Sequence, residues 1–389
     1  NALSVLNIAE VEGVDSLHPG IGFLSEDPNF AKVVRERSLN FIGPKVSSME
    51  TMGNKSNAIN TTMSNNVPVV PGSHGIVDTS EQAAKISEQI VYPVLLKAVH
   101  GGGGKGIQVV RRPEQLHGLF QHVTTEARAA FGNGDLYIEK FVTSMRHIEA
   151  QILRDSHGNT RVLGIRDCSV QRNNQKLMEE SLSTMLPEEH KRSVFEYAAK
   201  LADAVDYIGA GTVEFIYDIP SDAVYFMEMN TRIQVEHPVT EMITGFDLVR
   251  EQIRIAEGRP LSVKQEDLEF RGHAIECRIN AEDPFKFTPS PGRIVTWHTP
   301  GGPGIRVDSH AYAGYFVPPN YDSMIGKLIT YGDTRDQAIA RMRVALSEMV
   351  VEGIKTNIPL HKDLMADLAF NNGGVSIHYL EKKLGIQKK

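Results

Sequence analysis

In the stretch FMEMNTRIQVEHP, residues 226 to 238, polar side chains occupy every even position from Glu228 to Glu236. Met229, Thr231, Ile233 and Val235 lie between them. A period of two predicts an extended chain with one face buried. A solvated strand face usually carries interchangeable Lys, Glu, Thr and Ser. This one carries Glu228, Asn230, Arg232, Gln234 and Glu236, which raises the question of what it holds. Elsewhere the pattern predicts a helix, short strand, helix and strand over 1–43, the remnant of a parallel sheet. Residues 44–72 read as a polar helical segment running into the linker VPVVPGS. Residues 73–142 predict a compact unit: helix 79–90, strand 92–99, a glycine loop, strand 107–112, helix 113–131 and strand 135–142. Residues 143–389 mix strands (147–155, 160–171, 211–218, 225–230) with long helices (188–207, 335–351). No internal repeat or low-complexity segment is visible.

The glycine loop, KAVHGGGGKGIQVV, contains Gly101, Gly102, Gly103, Gly104 and Gly106. Gly101, Gly103 and Gly106 match G-x-G-x-x-G, but a dinucleotide fold needs a helix to start there, and here an apolar β-branched run follows. A Walker A loop fails as well, because Gly106 stands where Ser or Thr should follow Lys105. A glycine-rich connection between two strands can still lay backbone N–H groups over phosphates, since no Cβ intervenes. Lys97, on the entering strand, would put an amine at the edge of such a site, and Lys55 in MGNK is a second candidate.

GAGTVEFIYD sends Glu214 to one face of a strand, and YFMEMN sends Glu228 and Asn230 to one face of another. If those strands pair, three oxygen ligands converge, a donor set suited to Mg²⁺ while substrate phosphates complete its shell. A metal would also relieve the cost of two inward carboxylates. Arg232, Gln234 and Glu236 are then left for a small planar oxyanion: an arginine fork to hold it and a glutamate to take its proton.

Composition narrows the field without changing this picture. With 389 residues, 41% apolar and 23% charged, the chain fits a globular α/β enzyme of two or three domains. A net charge of −7 gives no nucleic-acid surface. The two cysteines, Cys168 and Cys277, have no metal-ligand spacing and suit a reducing, cytoplasmic setting. No apolar run approaches the roughly 20 residues that span a bilayer, and no signal peptide is visible. A chain opening on Asn1 and entering directly on a helix-like pattern reads as a fragment or a processed chain.

HPGIGFLSE, FIGP, MGNK, GGGGKGIQVV, IRDCSVQ, EMNTRIQVEHPVTEMITG, RGHAIECRINAEDP, PSPGRI and YDSMIGKL together closely resemble biotin carboxylase. That family is the ATP-grasp subunit of bacterial-type acetyl-CoA carboxylase, with relatives inside pyruvate and propionyl-CoA carboxylases. The resemblance runs from about residue 5 to IHYLEKKLG, whose form looks like the free-standing subunit. It implies a fold that is α/β and α+β: an ATP-grasp fold with a truncated N-terminal open α/β domain, a small lid domain and a large C-terminal mixed domain, with ATP between the last two. It implies that Lys55, Lys97 and His147 bind ATP phosphates. Glu139, Lys140 and Val142 would cup the adenine, and Gln171 and Ile216 would also serve ATP. Glu214, Glu228 and Asn230 would coordinate Mg²⁺ or Mn²⁺. Arg232, Gln234 and Val235 would bind bicarbonate, Glu236 would deprotonate it, Lys176 would approach both substrates, and Arg278 would stabilise the biotin enolate. Implied partners are a biotin carboxyl carrier protein, carboxyltransferase subunits and a second copy in a homodimer.

Three departures cluster on the acceptor side. Ile21 replaces a tyrosine, Asn173 and Asn174 replace arginine and histidine, and MEESLST lacks prolines. They leave the nucleotide and metal residues intact. They keep two alternatives in view: another ATP-grasp ligase, such as a carbamoyl phosphate synthetase half or a purine-pathway carboxylase, and a non-catalytic ATP-binding paralogue. TRIQVEHPVTE argues against the first. The loop reading predicts that amide exchange through 97–110 slows when ATP is added; unchanged exchange at saturating ATP would remove the phosphate-cradling role.

Overall fold

A computed structural model describes residues 1–99 and 106–385. The chain forms two compact units, one of residues 1–61, 144–224 and 228–389, the other of residues 62–143 with 225–227. The first unit begins with helix α1 (Ala2–Val11), strand β1 (Ser16–Leu17), helix α2 (Pro28–Glu36) and strand β2 (Asn40–Phe41). β1 and β2 pair in parallel, as the alternation of helix and strand predicts. Asp27 caps α2 by accepting from Asn29 N, and Pro28 fills the first turn, where no N–H is needed. Leu6, Phe30, Val34 and Phe41 form the core of this segment. Helices α3 (Val46–Gly53) and α4 (Lys55–Ser64) follow.

In the second unit, helix α5 (Ser80–Ile90) precedes β3 (Val94–Ala98) and β4 (Ile107–Val110), and helix α6 (Pro113–Phe131) precedes β5 (Leu136–Lys140). The three strands form an antiparallel sheet in the order β4-β3-β5. Val94, Leu96 and Ile138 turn towards Ala83, Leu116 and Val123 of the two helices. Lys97 and Leu95, at the intervening positions of β3, are only partly buried. Gly106 has φ +70°, a left-handed conformation that favours glycine, and its carbonyl accepts from Ala98 N at 2.8 Å. Gly101, Gly102, Gly103 and Gly104 lie outside the described residues.

The rest of the first unit is organised by β6 (Met145–Arg154), β7 (Thr160–Arg172), β8 (Gln175–Ser181), β9 (Gly209–Asp218), β10 (Ala223–Asn230) and β11 (His273–Asn280). The short strands β12 (Gly292–Arg293), β13 (Thr296–His298) and β15 (Phe316–Val317) lie around β14 (Ile305–Ser309) and β16 (Met324–Gly332), with β17 (Val350–Glu352) after them. Eight of these strands form one sheet in the order β10-β9-β6-β7-β8-β11-β16-β14. Between strands come helices α7 (Glu188–Ala204), α8 (His237–Thr244), α9 (Leu248–Ala256) and α10 (Arg335–Glu348), with α11 (Ile358–Ala366) after β17. Ile275, Cys277, Ile279 and Leu328 pack with Met342, Leu346 and Leu364 in the largest core.

Two readings from the sequence need correction. β8 and β11 are central strands, yet neither stood out, because QKLMEES and HAIECRIN carry charge onto buried faces. The alternation over 226–236 is not one strand. β10 ends at Asn230, where Glu26 draws in the backbone by accepting from Thr231 N at 3.2 Å. Glu236 is instead the residue that begins α8, with Pro238 in the first turn.

The structure also supplies a reason for two of the departures. β7 and β8 form a hairpin in which Arg172 faces Gln175, leaving Asn173 and Asn174 as a two-residue turn. Their φ values, +50° and +61°, are those of a type I′ turn, which favours Asn and Gly. Asn174→Val should therefore cost about 1–2 kcal/mol in denaturant unfolding, and Asn174→Gly should be close to neutral. Equal stability of the valine variant would show that the turn does not need the left-handed residue.

Candidate active site

One row of the large sheet carries the chemistry. Glu214 on β9 stands opposite Glu149 on β6, and Glu149 stands opposite Arg166 on β7. Like charges directly across a ladder repel, and both glutamates are buried. Lys176, from β8, resolves the conflict. Its Nζ donates to Glu149 Oε2 at 2.6 Å, Glu214 Oε1 at 2.9 Å and Glu236 Oε1 at 2.6 Å, using all three ammonium hydrogens. Arg166, fully buried, donates from Nε to Glu149. Its terminal nitrogens donate to Gln151 at 2.7 Å, Thr240 at 2.9 Å, and Thr212 and Gln234 at 3.1 Å. Gln234 passes the chain on by donating to Glu214 Oε1 at 2.7 Å.

This arrangement decides the charge states. Burial alone would raise the Glu236 pKa, but Lys176, Arg278 and Arg166 outweigh it and hold the carboxyl well below the usual range. Glu214 is likewise held low against its burial by His147 and Lys176. Burial would lower the pKa of Lys176, yet Glu149 and Glu236 hold it well above its ordinary value. The second oxygen of Glu236 accepts from Arg278 at 3.0 Å and not from Arg232, its neighbour in the run. Arg232 donates from Nε to Glu26 at 2.9 Å, while its terminal nitrogens make only 3.3 Å contacts to Ile233 O and Asn230 Oδ1. Glu26 thus fixes the guanidinium and leaves its terminal edge weakly used.

The remaining expected residues fall as follows. His147 faces Ile216 across the β6–β9 ladder, and its Nε2 lies 3.0 Å from Glu214 Oε2. Gln171 Nε2 can only donate, so at 3.0 Å it makes His147 Nδ1 the acceptor and puts the ring proton on Nε2. Val235 lies in the turn before α8, where its carbonyl accepts from Lys327 at 2.9 Å. Lys55 opens α4 and is exposed. In the second unit, Lys97 pairs with Glu139, Lys140 N donates to Pro71 O at 2.7 Å, and Val142 is buried. Glu149, Arg166, Glu179, Lys327 and Glu26 were not singled out. Only the alternation HIEAQ, which puts His147 and Glu149 on one face, hinted at any of them.

A divalent cation fits Glu214, Glu228 and Asn230. β9 and β10 are neighbours, as convergence requires. Glu228 has no hydrogen-bond or ion-pair partner among the described residues, and its partial burial and the charge of Glu214 raise its pKa. Two carboxylates that disfavour each other's ionisation are what a bound cation relieves.

Family models match almost the whole chain. Residues 1–49 match the biotin carboxylase N-terminal domain, 54–264 the carbamoyl-phosphate synthase L chain ATP-binding domain, and 276–382 the biotin carboxylase C-terminal domain. Biotin carboxylase 1 of Bacillus subtilis is 53% identical over 382 residues, 98% of this chain and 85% of that protein. The biotin carboxylase of Haemophilus influenzae is 52% identical over 389 residues, 100% of this chain and 86% of that protein. The chain belongs to the biotin carboxylase family.

Solved biotin carboxylases share the fold. The Campylobacter jejuni enzyme in its β,γ-ATP complex superposes with a TM-score of 0.89 at 44% identity, over 98% of this chain and 85% of that one. The biotin carboxylase domain of a thermophilic 2-oxoglutarate carboxylase bound to bicarbonate does so at 0.94 and 45%, over 98% and 84%. These matches bear out the ATP-grasp fold. The carbamoyl-phosphate synthase likeness is confined to the ATP-binding segment, and biotin carboxylase domains flank it.

Lys176 is the keystone in this biotin carboxylase chain. Replacing it with methionine should destabilise the protein by about 3–5 kcal/mol, the range for breaking a buried ion pair. Glu214 and Glu236 have depressed pKa values, so their contribution is present above the ordinary carboxylate range and is lost as pH falls through their folded values. The gap in melting temperature between wild type and Lys176→Met should be widest at neutral pH and narrow towards acid. A gap independent of pH would contradict the charge-balancing role.

Proposed function

We propose that this chain carboxylates biotin, using bicarbonate and ATP, and that Glu236 held between Lys176 and Arg278 is the centre of the acceptor half. This pairing, tied through Gln234 to Glu214 on the sheet, is the observation that carries the reading. Arg232, Gln234 and the Val235 backbone hold bicarbonate. Glu236 takes its proton, and the bicarbonate oxygen attacks the γ-phosphate of ATP to give ADP and carboxyphosphate. Carboxyphosphate breaks down to CO₂ and phosphate, the phosphate takes the ureido N–H proton of biotin, and the nitrogen so freed attacks the CO₂. Arg278 stabilises the enolate form of that ureido group. Lys55, Lys97, Glu139, Lys140, Val142, His147, Gln171, Ile216 and the glycine loop serve ATP. Mg²⁺ or Mn²⁺ on Glu214, Glu228 and Asn230 neutralises phosphate charge during the transfer.

The electrostatics add a condition. A carboxylate held so firmly by two cations is a weak base, since a catalytic base works best with a pKa near the working pH. Glu236 therefore gains basicity when Lys176 or Arg278 turns towards an incoming anion, so that substrate binding switches on the base.

Biotin is presented on a carrier protein, and carboxyltransferase subunits complete the acetyl-CoA carboxylase reaction of fatty acid synthesis. Identity of 53% to Biotin carboxylase 1 of Bacillus subtilis, over 98% of this chain and 85% of that protein, supports a subunit with separate partners. A homodimer, the form in which the Hydrogenobacter thermophilus biotin carboxylase domain is solved with MgADP, ADP and bicarbonate, is part of the proposal. The paralogue reading loses a motive, because Asn173 and Asn174 suit their turn.

The test is bicarbonate-dependent ATP hydrolysis with and without free biotin. Wild type should show biotin-stimulated turnover, and Glu236→Gln should lose roughly 10²–10⁴-fold while ATP affinity stays unchanged. Tight ATP binding without biotin-dependent turnover in wild type would favour the paralogue.

A further inference from the structure

A second pair of acids lies on the same sheet, away from the nucleotide and metal residues. Glu179 on β8 stands directly opposite Glu276 on β11. Both are fully buried, at 1% and 0% exposure. Cross-strand partners have Cβ atoms about 4.5–5.5 Å apart, so the carboxyls share one space. Glu179 Oε1 accepts from Arg278 Nε at 2.6 Å, but Glu179 Oε2 and both oxygens of Glu276 have no hydrogen-bond partner among the described residues. Three orphaned carboxyl oxygens side by side cannot all be charged and dry. One proton between the two carboxyls removes one of the charges and satisfies two of the three oxygens.

The surrounding charges supply no other remedy. Glu149, Glu179, Glu214, Glu236 and Glu276 face Arg166, Lys176 and Arg278, two more acids than these cations. Lys327 on β16 is taken by Val235 O at 2.9 Å and lies 3.6 Å from Asp308. On β8, Glu180 is bound by His273 and Arg335. At α8, burial and Lys327 push His237 down to about 3, and Glu241 is paired with Arg306. On α10, Arg341 and Arg343 are engaged by the carbonyls of Tyr331 and Met365. On α11, burial holds His361 at about 4, so it is neutral where it meets Arg278 O.

We propose that Glu276 is a positioning residue: it keeps one proton in the buried Glu179–Glu276 pair, so that Glu179 alone is charged and holds Arg278 against Glu236. Burial, reinforced by the neighbouring acids and against the pull of Arg278, Lys176 and Lys327, raises both carboxyls, Glu179 to about 7 and Glu276 well above its ordinary value, in keeping with this. The inference rests on the biotin carboxylation reading for its kinetic consequence, but the proton itself is observable without turnover.

A carboxyl whose folded-state pKa is raised contributes stability that is full below the unfolded value and lost as pH climbs towards the folded one. The melting temperature of Glu276→Gln should therefore rise relative to wild type from about pH 5 upward. Wild type at pH 7 should show an infrared band of a protonated, buried carboxyl that Glu276→Gln removes. The glutamine can donate to Glu179 as the acid does, so biotin-dependent kcat should survive at neutral pH and lose less at alkaline pH. Glu276→Ala should lose about 10²-fold in kcat, as for a group displaced by about an ångström, without a change in KM for ATP. Absence of the infrared band in wild type would overturn the proposal even if the variants fail to fold. So would parallel melting curves, or an unchanged kcat profile in Glu276→Ala. Failure of biotin-dependent turnover in wild type would sink the functional reading while leaving the band intact.

Discussion

Five buried glutamates, four on one sheet and Glu236 beside it, are the constraint on which the site depends. An unpaired buried carboxylate is costly, and a β-ladder holds opposite residues too close for like charges to ignore. The sheet answers with three cations of different geometry. The Lys176 ammonium sits among three carboxylates as a compact charge. Arg166 is a planar fork that ties four strands or helices together through Glu149, Gln151, Thr212, Gln234 and Thr240. Arg278 spans Glu179 and Glu236. On the proposed carboxylation reading, an arriving anion redistributes these contacts, which links the stability of the protein to the readiness of Glu236.

The same constraint explains the local backbone. Glu236 reaches Lys176 and Arg278 because the chain leaves β10 at Asn230, bends where Glu26 holds Thr231 and Arg232, and turns into α8. Had β10 continued to Glu236, the alternation would have carried the polar groups along one straight strand edge. The bend instead gathers them. Lys327 fixes this turn from β16 through the Val235 carbonyl.

Much of the architecture was legible in the sequence because it depends on local pattern. The helices 79–90, 113–131 and 188–207 have periodic apolar faces with polar remainders, and the strands on either side of the glycine loop are short, largely apolar runs. What could not be read was non-local. Nothing in HIEAQ or GTVEF says that Glu149 meets Glu214, nor in MEES or IECR that Glu179 meets Glu276, because register is set by tertiary packing. β8 and β11 were missed because their buried faces carry acids where pattern reasoning expects apolar residues. Likewise the residues of the 228–236 run were legible as a functional group, but the partner of each was not. Arg232 lies nearer to Glu236 in sequence than Lys176 or Arg278 does, yet it pairs with Glu26 from the N-terminal segment.

The central claim is that this carboxylate cluster serves a bicarbonate oxygen attacking the γ-phosphate of ATP. The most direct measurement is to run the reaction with heavy-oxygen-labelled bicarbonate and follow the label into phosphate. Transfer of one bicarbonate oxygen into the phosphate formed, dependent on biotin, is the result this account predicts. Unlabelled phosphate alongside biotin-dependent ATP hydrolysis would show that water, and not bicarbonate, is the attacking group, and would contradict it.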